Sequence, residues 1–135
     1  MKKKKLILLI EDDDQIIDVY TFALKKLGHF DAEAIKLGQY VLKWMEEIKQ
    51  GKARIPDLIL LDLILPDYNG LDLLREMRKE EELKDTPVFI ITNYTSKELE
   101  DIGIDLKSEK YLTKTKFTPT ELVQMVKERL KEQVN

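Results

Sequence analysis

Acidic side chains follow two apolar runs of the sequence. Leu6–Ile10 leads into Glu11 and Asp12, and residues 57–61 lead into Asp62. Because side chains at the carboxyl ends of parallel strands meet at one edge of a sheet, we expect these carboxylates to lie close together. Carboxylates gathered without nearby cations repel one another. The pattern therefore indicates a divalent metal ion, a reactive aspartate, or both.

Two further polar residues end or follow apolar segments. Thr92 ends the run Val88–Thr92, and Lys114 follows the short run Lys110–Thr113. Asp62 is the predicted nucleophile, since an aspartate carboxylate can attack phosphorus and form an aspartyl phosphate. Lys114 would pair with Asp62 and then with an oxygen of the incoming phosphoryl group. The Thr92 hydroxyl would hydrogen-bond another phosphoryl oxygen.

The predicted metal ligands are all oxygen atoms. Glu11, Asp12 and Asp62 suit Mg²⁺, which prefers carboxylates, waters and phosphate oxygens.

The 135-residue sequence contains no cysteine and a single histidine, His29, which excludes thiolate chemistry and a histidine-rich metal site within one chain. The formal net charge of −3 argues against a nucleic-acid binder driven by bulk positive charge.

Strands and helices are predicted to alternate along the chain. Continuous apolar runs indicate buried strands, and apolar residues at helical spacing indicate helices. The predicted strands are Leu6–Ile10, 30–35, 57–61, Val88–Thr92 and Lys110–Thr113, and the predicted helices are 14–27, 37–50, 71–79, 96–106 and one that begins with N-cap Thr118 and a capping-box Glu121. This order predicts an α/β fold, a parallel sheet with helices on both faces.

Apolar residues of the first two predicted helices are assigned to the core by their spacing. The inward residues are predicted to be Ile16, Val19, Tyr20, Ala23, Leu24 and Leu27 on the first helix, and Tyr40, Val41, Trp44, Met45 and Ile48 on the second. Ile17 is predicted to lie off this face. Asp14 is considered as the N-cap of the first helix, and Asp57 and Asp67 are interpreted as ordinary turn residues.

The basic residues 2–5 precede an apolar run of five residues, which is shorter than the core of a signal peptide. They are interpreted as a solvated lead-in to the first strand. No apolar segment is long enough to span a membrane, and the predicted compartment is the cytoplasm.

The chain resembles the receiver domains of two-component response regulators from about residue 5 to residue 130. Four motifs carry the resemblance: Leu-Ile-Glu-Asp-Asp at the first strand, Leu-Leu-Asp-Leu around Asp62 with its trailing Leu-Pro-Asp-Tyr-Asn-Gly, Phe-Ile-Ile-Thr ending at Thr92, and Tyr-Leu-Thr-Lys ending at Lys114. The resemblance implies a five-stranded, flavodoxin-like, doubly wound sheet of order 2-1-3-4-5. It also implies phosphorelay signalling, in which Asp62 accepts a phosphoryl group from a phosphohistidine with Mg²⁺.

The same resemblance implies roles for further residues and for partners. The backbone carbonyl of Ile64 would be the third protein contact of the metal, and Thr92 and Tyr111 would be the switch residues. The donor would be a histidine kinase or a phosphotransfer protein. The domain would catalyse its own phosphorylation and dephosphorylation without being an enzyme for other substrates.

The resemblance and the chain length lead to expectations about organisation and signalling. Residues 1–135 are expected to form a single receiver-like domain without an output domain. The signal would pass by contact with an unknown downstream protein, through residues 96–106, Lys110–Thr113 and 118–134. We expect a monomer or a phosphorylation-dependent homodimer, with no direct contact to nucleic acid or membrane.

Several positions depart from the family pattern. Thr115 follows Lys114 where the family usually has proline, often after a cis peptide, so we expect either a trans loop with an altered placement of Lys114 or a strained cis bond. Asn93 stands where the family usually has a small residue, and residues 101–110 lack its Ala/Gly pattern. Ile64 and Tyr94 occupy positions that flank the phosphoryl group in the family, and an apolar and an aromatic residue there predict slow hydrolysis of the phosphorylated form.

Three alternatives remain beside this interpretation. One is a degenerate receiver that acts only as a binding module. Another is a Mg²⁺-dependent phosphohydrolase with an aspartate nucleophile, which is disfavoured because Ile64 offers no general acid two residues after Asp62. The third is a flavodoxin-like cofactor binder, which is disfavoured because acids after the first strand would repel a phosphate.

Overall fold

A computed structural model of the chain describes residues 3–103 and 110–131. Five strands alternate with five helices along these residues: β1 (Leu6–Ile10), α1 (Asp14–Lys26), β2 (Asp31–Ile35), α2 (Gly38–Lys49), β3 (Leu58–Asp62), α3 (Gly70–Lys79), β4 (Val88–Thr92), α4 (Ser96–Asp101), β5 (Lys110–Thr113) and α5 (Pro119–Lys131). The strands are parallel and lie in the order β2-β1-β3-β4-β5. The expected doubly wound α/β fold is confirmed.

The three central strands β1, β3 and β4 are buried along their whole length because helices cover both faces of the sheet. Alternate strand residues point to opposite faces, so Leu8 and Ile10 pack with α2, α3 and α4, whereas Ile7 and Leu9 pack with α1 and α5. These two apolar layers fix the strands in register, and the register fixes which residues meet at the carboxyl edge of the sheet.

The apolar faces of α1 and α2 differ in part from the predicted ones. Val19 and Leu27 are each 48% exposed and Tyr40 is 55% exposed, so their assignment to the core is wrong. Ile17 instead packs against the cluster beneath α1. The physical reason is that α1 buries a narrow stripe centred on Tyr20, Ala23 and Leu24, and Leu27 lies just beyond the last helical residue.

The start of α1 and the end of α4 also differ from the predicted helix ends. Asp13, not Asp14, is the N-cap of α1, because its carboxylate accepts hydrogen bonds from the backbone N–H of Gln15 and Ile16. α4 ends at Asp101 rather than at residue 106, and Gly103 has a φ of 89° soon after the helix end. The predicted signalling surface is described in part, since residues 104–109 and 132–135 lie outside the described residues.

The start of α5 agrees with its predicted capping box. The Thr118 hydroxyl accepts a hydrogen bond from the backbone N–H of Glu121, and the Glu121 carboxylate accepts one from the backbone N–H of Thr118.

Across the described ranges, no helix has both the length and the apolar character that a membrane crossing requires.

Two valines at opposite exposures test the corrected helix faces. Val126 of α5 is fully buried, whereas Val19 of α1 is 48% exposed. Val126→Ala should lower the free energy of unfolding by about 2 kcal/mol, because it removes buried methyl groups and leaves a cavity. Val19→Ala should change it by less than about 0.5 kcal/mol. Urea unfolding followed by circular dichroism measures both, and equal losses would contradict the assignment of faces.

Candidate functional site

The polar residues predicted from strand ends do meet at the carboxyl edge of the sheet. Glu11 follows β1, Asp62 is the last residue of β3, Thr92 is the last residue of β4, and Lys114 follows β5. The register pairs Asp62 with Ile91, next to Thr92, so strand pairing determines the position of each side chain along the strand direction. β3 lies between β1 and β4, which places Asp62 at the centre of the group.

Lys114 joins the two buried carboxylates. Its Nζ donates to Asp62 Oδ2 at 3.0 Å and to Glu11 Oε1 at 3.0 Å. The carboxylates are 5% and 2% exposed and the lysine side chain is 14% exposed. Glu11 follows β1 and Lys114 follows β5, and these strands lie on either side of β3. One lysine side chain therefore links the ends of three strands at this edge.

The electrostatics of the group are unbalanced. Burial, together with the hydrogen bond to Asp62 and its negative charge, raises the pKa of Glu11 from 4.5 to about 8, although Lys114 acts in the opposite direction. Burial tends to lower the pKa of Lys114, but its hydrogen bonds to Asp62 and Glu11 outweigh burial and raise it. Two buried carboxyl groups therefore share a single cation, and a second positive charge would relieve the remaining repulsion.

The donor set fits a divalent cation such as Mg²⁺. One carboxylate oxygen from each of Glu11, Asp12 and Asp62 lies within 4.8 Å of the others, and Asp12 is exposed to solvent. Such an oxygen set, open to water on one side, is what Mg²⁺ prefers, because it retains several water ligands. Burial is the main cause of the raised pKa of Glu11 and the neighbouring Asp62 adds to it, so a bound cation would favour the ionised form of Glu11.

The segment after β3, which we call the site loop (residues 63–70), holds Asp62 from the other side. The backbone N–H of Ile64 donates to Asp62 Oδ1 at 3.0 Å. With Lys114 bonded to Oδ2, both oxygens of the carboxylate are held. Gly70 closes the loop onto β3, because a Cβ there would lie 2.6 Å from the carbonyl oxygen of Asp62.

The carboxylates open into a cleft of about 400 Å³, lined by Glu11, Asp12, Asp13, Asp62, Ile64, Leu65, Pro66, Asn93 and Lys114. Asn93 is exposed and borders this cleft directly. The peptide between Lys114 and Thr115 is trans, yet Lys114 reaches both carboxylates. Of the two outcomes expected for this non-proline position, the trans loop is therefore the one found, and contact with Asp62 is retained.

The two proposed switch residues both contact the segment that leads into α4. Thr92 is fully buried and its Oγ1 accepts a hydrogen bond from the backbone N–H of Tyr94 at 3.1 Å. The hydroxyl of Tyr111 shares a hydrogen bond with the hydroxyl of Ser96, and its ring is partly buried. Both side chains therefore have defined partners on residues 94–96.

The sequence patterns do not reveal a structural role of Asp67 in the site loop. Asp67, interpreted as a turn residue, accepts hydrogen bonds from the backbone N–H groups of Gly38 at 2.8 Å and Gln39 at 3.0 Å. Desolvation works to raise the pKa of Asp67, but these backbone hydrogen bonds outweigh it and lower that pKa. No local signal could have revealed the contact, because the partners are 29 and 28 residues away.

Comparison with known proteins identifies relatives of the chain. The family model of the response regulator receiver domain matches residues 7–127. The DNA-binding response regulator MtrA of Mycolicibacterium smegmatis is 32% identical over 128 residues, which are 95% of this chain and 51% of that protein. The chain therefore spans about half the length of this curated relative.

Solved structures share the fold. The phosphorylated cyanobacterial phytochrome response regulator RcpA has a TM-score of 0.75 and 28% identity, with 93% of this chain and 90% of that chain covered. The Mn²⁺-bound form of the response regulator Rcp1 has a TM-score of 0.71 and 25% identity, with 92% of each chain covered.

Removal of Lys114 tests the balance of charge in the site. Without metal at pH 9, where a pKa of about 8 leaves Glu11 ionised, Lys114→Met should lower the free energy of unfolding by about 3 kcal/mol, because Asp62 is left buried beside a second carboxylate without its cation. In a Glu11→Gln background the same change should cost at least about 1 kcal/mol less. Urea unfolding in EDTA measures this cycle.

A nearby exposed lysine provides the matched control for this cycle. Lys116→Met should change the free energy of unfolding by less than about 0.5 kcal/mol. Equal costs of Lys114→Met in both backgrounds would show that Glu11 and Lys114 are not coupled.

Proposed function

The chain belongs to the family of response regulator receiver domains, and from this premise we propose that Asp62 is its phosphoacceptor. Receiver domains are phosphoacceptor signalling domains, and the function of the chain is two-component phosphorelay signalling. The family interacts with histidine kinases or phosphotransfer proteins and generally binds Mg²⁺.

One observation carries the assignment of Asp62. Its carboxylate lies at the end of the central strand, is held at Oδ1 by the Ile64 backbone and at Oδ2 by Lys114, and faces an open cleft. A nucleophile held in one orientation loses little freedom when the reaction begins, and this lowers the barrier to attack. Asp12 and Asp13 are exposed and Glu11 belongs to the metal side of the cleft, so Asp62 is the carboxylate best placed to attack.

The proposed reaction moves a phosphoryl group from a phosphohistidine to Asp62. A carboxylate oxygen of Asp62 attacks phosphorus, the P–N bond to the donor imidazole breaks, and the imidazole nitrogen takes the bonding electron pair. The product is an aspartyl phosphate on Asp62. Lys114 then turns its ammonium group from the Asp62 carboxylate to a phosphoryl oxygen, where it offsets the new negative charge.

The metal ligands are proposed to be Glu11, Asp12, Asp62 and the backbone carbonyl of Ile64. When bound, Mg²⁺ screens the repulsion between the carboxylates and the incoming phosphoryl group and stabilises charge in the transition state. The three carboxylates support this ligand set through their mutual distances, and the Mn²⁺-bound form of Rcp1 supports a divalent ion in a protein of the same fold.

Thr92 and Tyr111 are proposed to transmit the change. The Thr92 hydroxyl can donate to a phosphoryl oxygen, because its present hydrogen bond uses Oγ1 only as an acceptor. Movement of Thr92 toward the phosphoryl group would free space beside β4, and Tyr111 would leave Ser96 to occupy it. The surface proposed to contact a downstream protein is α4, β5 and α5, to which Ser96 and Tyr111 both belong.

Phosphorylation of the intact protein tests the assignment of Asp62. Incubation with Mg²⁺ and acetyl phosphate or phosphoramidate should add about 80 Da, the mass of one phosphoryl group, to the wild-type chain. Asp62→Asn should abolish the adduct, because an amide oxygen cannot replace the carboxylate as nucleophile. Asp72→Asn, an exposed substitution in the first turn of α3, should retain it. An adduct that survives in Asp62→Asn would disprove the assignment.

The proposed function includes self-catalysed dephosphorylation, which should be slow. Ile64 is 53% exposed at the mouth of the cleft, and Tyr94 lines the adjoining groove with it. An apolar and an aromatic side chain at these positions should restrict the access of attacking water to phosphorus. A variant with Ile64→Asn and Tyr94→Glu should therefore lose its phosphoryl group severalfold faster than the wild type, as measured by intact mass over time.

The control for this effect lies in the same groove. Ile102→Asn places the same amide at a residue that lines the groove but not the cleft, and it should decay at the wild-type rate. Wild-type decay that matches or exceeds that of the Ile64→Asn, Tyr94→Glu variant would contradict the proposal.

A further inference from the structure

We propose that Asp67 is a positioning residue for the metal and phosphoryl site, because it fastens the site loop to the first turn of α2. The inference rests on the proposed function of Asp62 and extends it to a residue outside the carboxylate group. It predicts that the first turn of α2 and the metal ligands are coupled, so that each responds to the state of the other.

The first support is the contact between Asp67 and α2. Oδ1 accepts from the backbone N–H of Gly38 at 2.8 Å, and Oδ2 accepts from that of Gln39 at 3.0 Å. Leu37, the N-cap residue of α2, has a side chain that forms no capping hydrogen bond. The helix therefore takes its cap from the site loop rather than from its own sequence, and use of both carboxylate oxygens fixes the orientation of Asp67.

The second support is the close packing of the next loop residue on the same turn. A Cβ on Gly38 would lie 2.4 Å from Cβ of Tyr68, a separation that real Cβ atoms do not adopt. Gly38 is thus the point at which the side chain of Tyr68 lies directly on the helix. Glycine is otherwise unfavourable in a helix by about 1 kcal/mol relative to alanine, so close approach gives it a physical purpose here.

The third support is the short, closed path from Asp67 to the site. Ile64 and Asn69 form an antiparallel bridge, and the backbone N–H of Gly70 donates to the carbonyl oxygen of Leu63 at 2.8 Å. Asn69 also caps α3 through the backbone N–H of Leu71. Asp67 therefore lies at the tip of a loop whose two sides are hydrogen-bonded to each other. A displacement of Asp67 should for this reason displace Ile64 as well.

The contact of Asp67 with the first turn of α2 is called the tether below. Ile64 is the residue through which this tether would act on the chemistry. Its N–H holds Asp62 Oδ1, and its carbonyl is the proposed third protein contact of Mg²⁺. If the tether positions Ile64, then binding of Mg²⁺ must stabilise the contact between Asp67 and α2 by the same free energy that the contact contributes to binding. An ordinary helix cap would stabilise the fold without any such reciprocity.

The test is a titration of the ¹⁵N-labelled 135-residue chain with Mg²⁺ alone, followed by NMR. Asp67→Ala should weaken Mg²⁺ binding about fivefold, at the lower end of couplings between distinct sites. Gly38→Ala, which acts on the tether from the helix side, should weaken it in the same direction. In the wild type, Mg²⁺ should slow hydrogen exchange at the amides of Gly38 and Gln39, which are the donors to Asp67.

Asp72→Ala is the matched control, because it removes the same charge from the start of α3, where Asp72 pairs with Arg75. It should change the Mg²⁺ affinity less than twofold. If Asp67→Ala does not fold, Asp67→Asn replaces it in the test beside Gly38→Ala, because it preserves the shape of the side chain. Wild-type affinity in the folded Asp67 and Gly38 variants, with no response of the two amides to Mg²⁺, would overturn the inference.

The outcomes separate this inference from the proposed function. A wild-type chain that binds Mg²⁺ but forms no aspartyl phosphate would refute the phosphoacceptor assignment, and the tether would still be decided by the Mg²⁺ affinities of the variants. A wild-type chain that phosphorylates normally, with Asp67→Ala indistinguishable from Asp72→Ala in Mg²⁺ affinity, would refute the tether alone. A wild-type chain without Mg²⁺ binding would refute both.

Discussion

The Lys114 ammonium group lies between the buried carboxylates of Glu11 and Asp62, 3.0 Å from an oxygen of each, and the rest of the site depends on this contact. Burial of a charge costs several kcal/mol unless a partner compensates it, and here one cation serves two acids. Burial, with a further contribution from Asp62, raises the pKa of Glu11 in this setting. We expect such a site to favour metal binding over stability, because a divalent ion would supply positive charge that the two acids lack.

The sheet determines which residue can provide the cation. β5 is the second strand along from β3, and parallel strands are about 4.8 Å apart, so the backbones of β5 and β3 are separated by roughly 10 Å. A long, unbranched lysine covers most of that distance, and the Asp62 side chain and the 3.0 Å hydrogen bond to Nζ cover the rest. The backbone N–H of Lys114 donates to the carbonyl oxygen of Thr92, so the lysine starts its path beside the end of β4. Strand order thus accounts for the choice of a lysine after β5, and not one of the many surface lysines, to complete the site.

How far the sequence predicts this molecule depends on how local each signal is. The central strands are predictable because unbroken apolar runs are typical of strands that helices cover on both faces, and the positions of Asp62 and Lys114 follow from strand ends. Exposed apolar residues such as Val19 and Tyr40 were misassigned, because hydrophobicity and spacing do not reveal how wide a face a helix buries. The role of Asp67 was invisible, since its partners belong to a helix that only tertiary packing brings near.

The residues missed by sequence patterns are of a different kind from those that were found. Asp62 and Lys114 belong to motifs because the proposed chemistry requires their functional groups. Asp67 supplies a carboxylate that meets backbone amides, and Gly38 supplies only the absence of a side chain, yet both determine where the site loop lies. The loop in turn places the N–H that holds Asp62. A carboxylate nucleophile needs its orientation fixed to within a fraction of an ångström, so the loop's attachment to α2 belongs to the same physical problem as the ion pair at its other end.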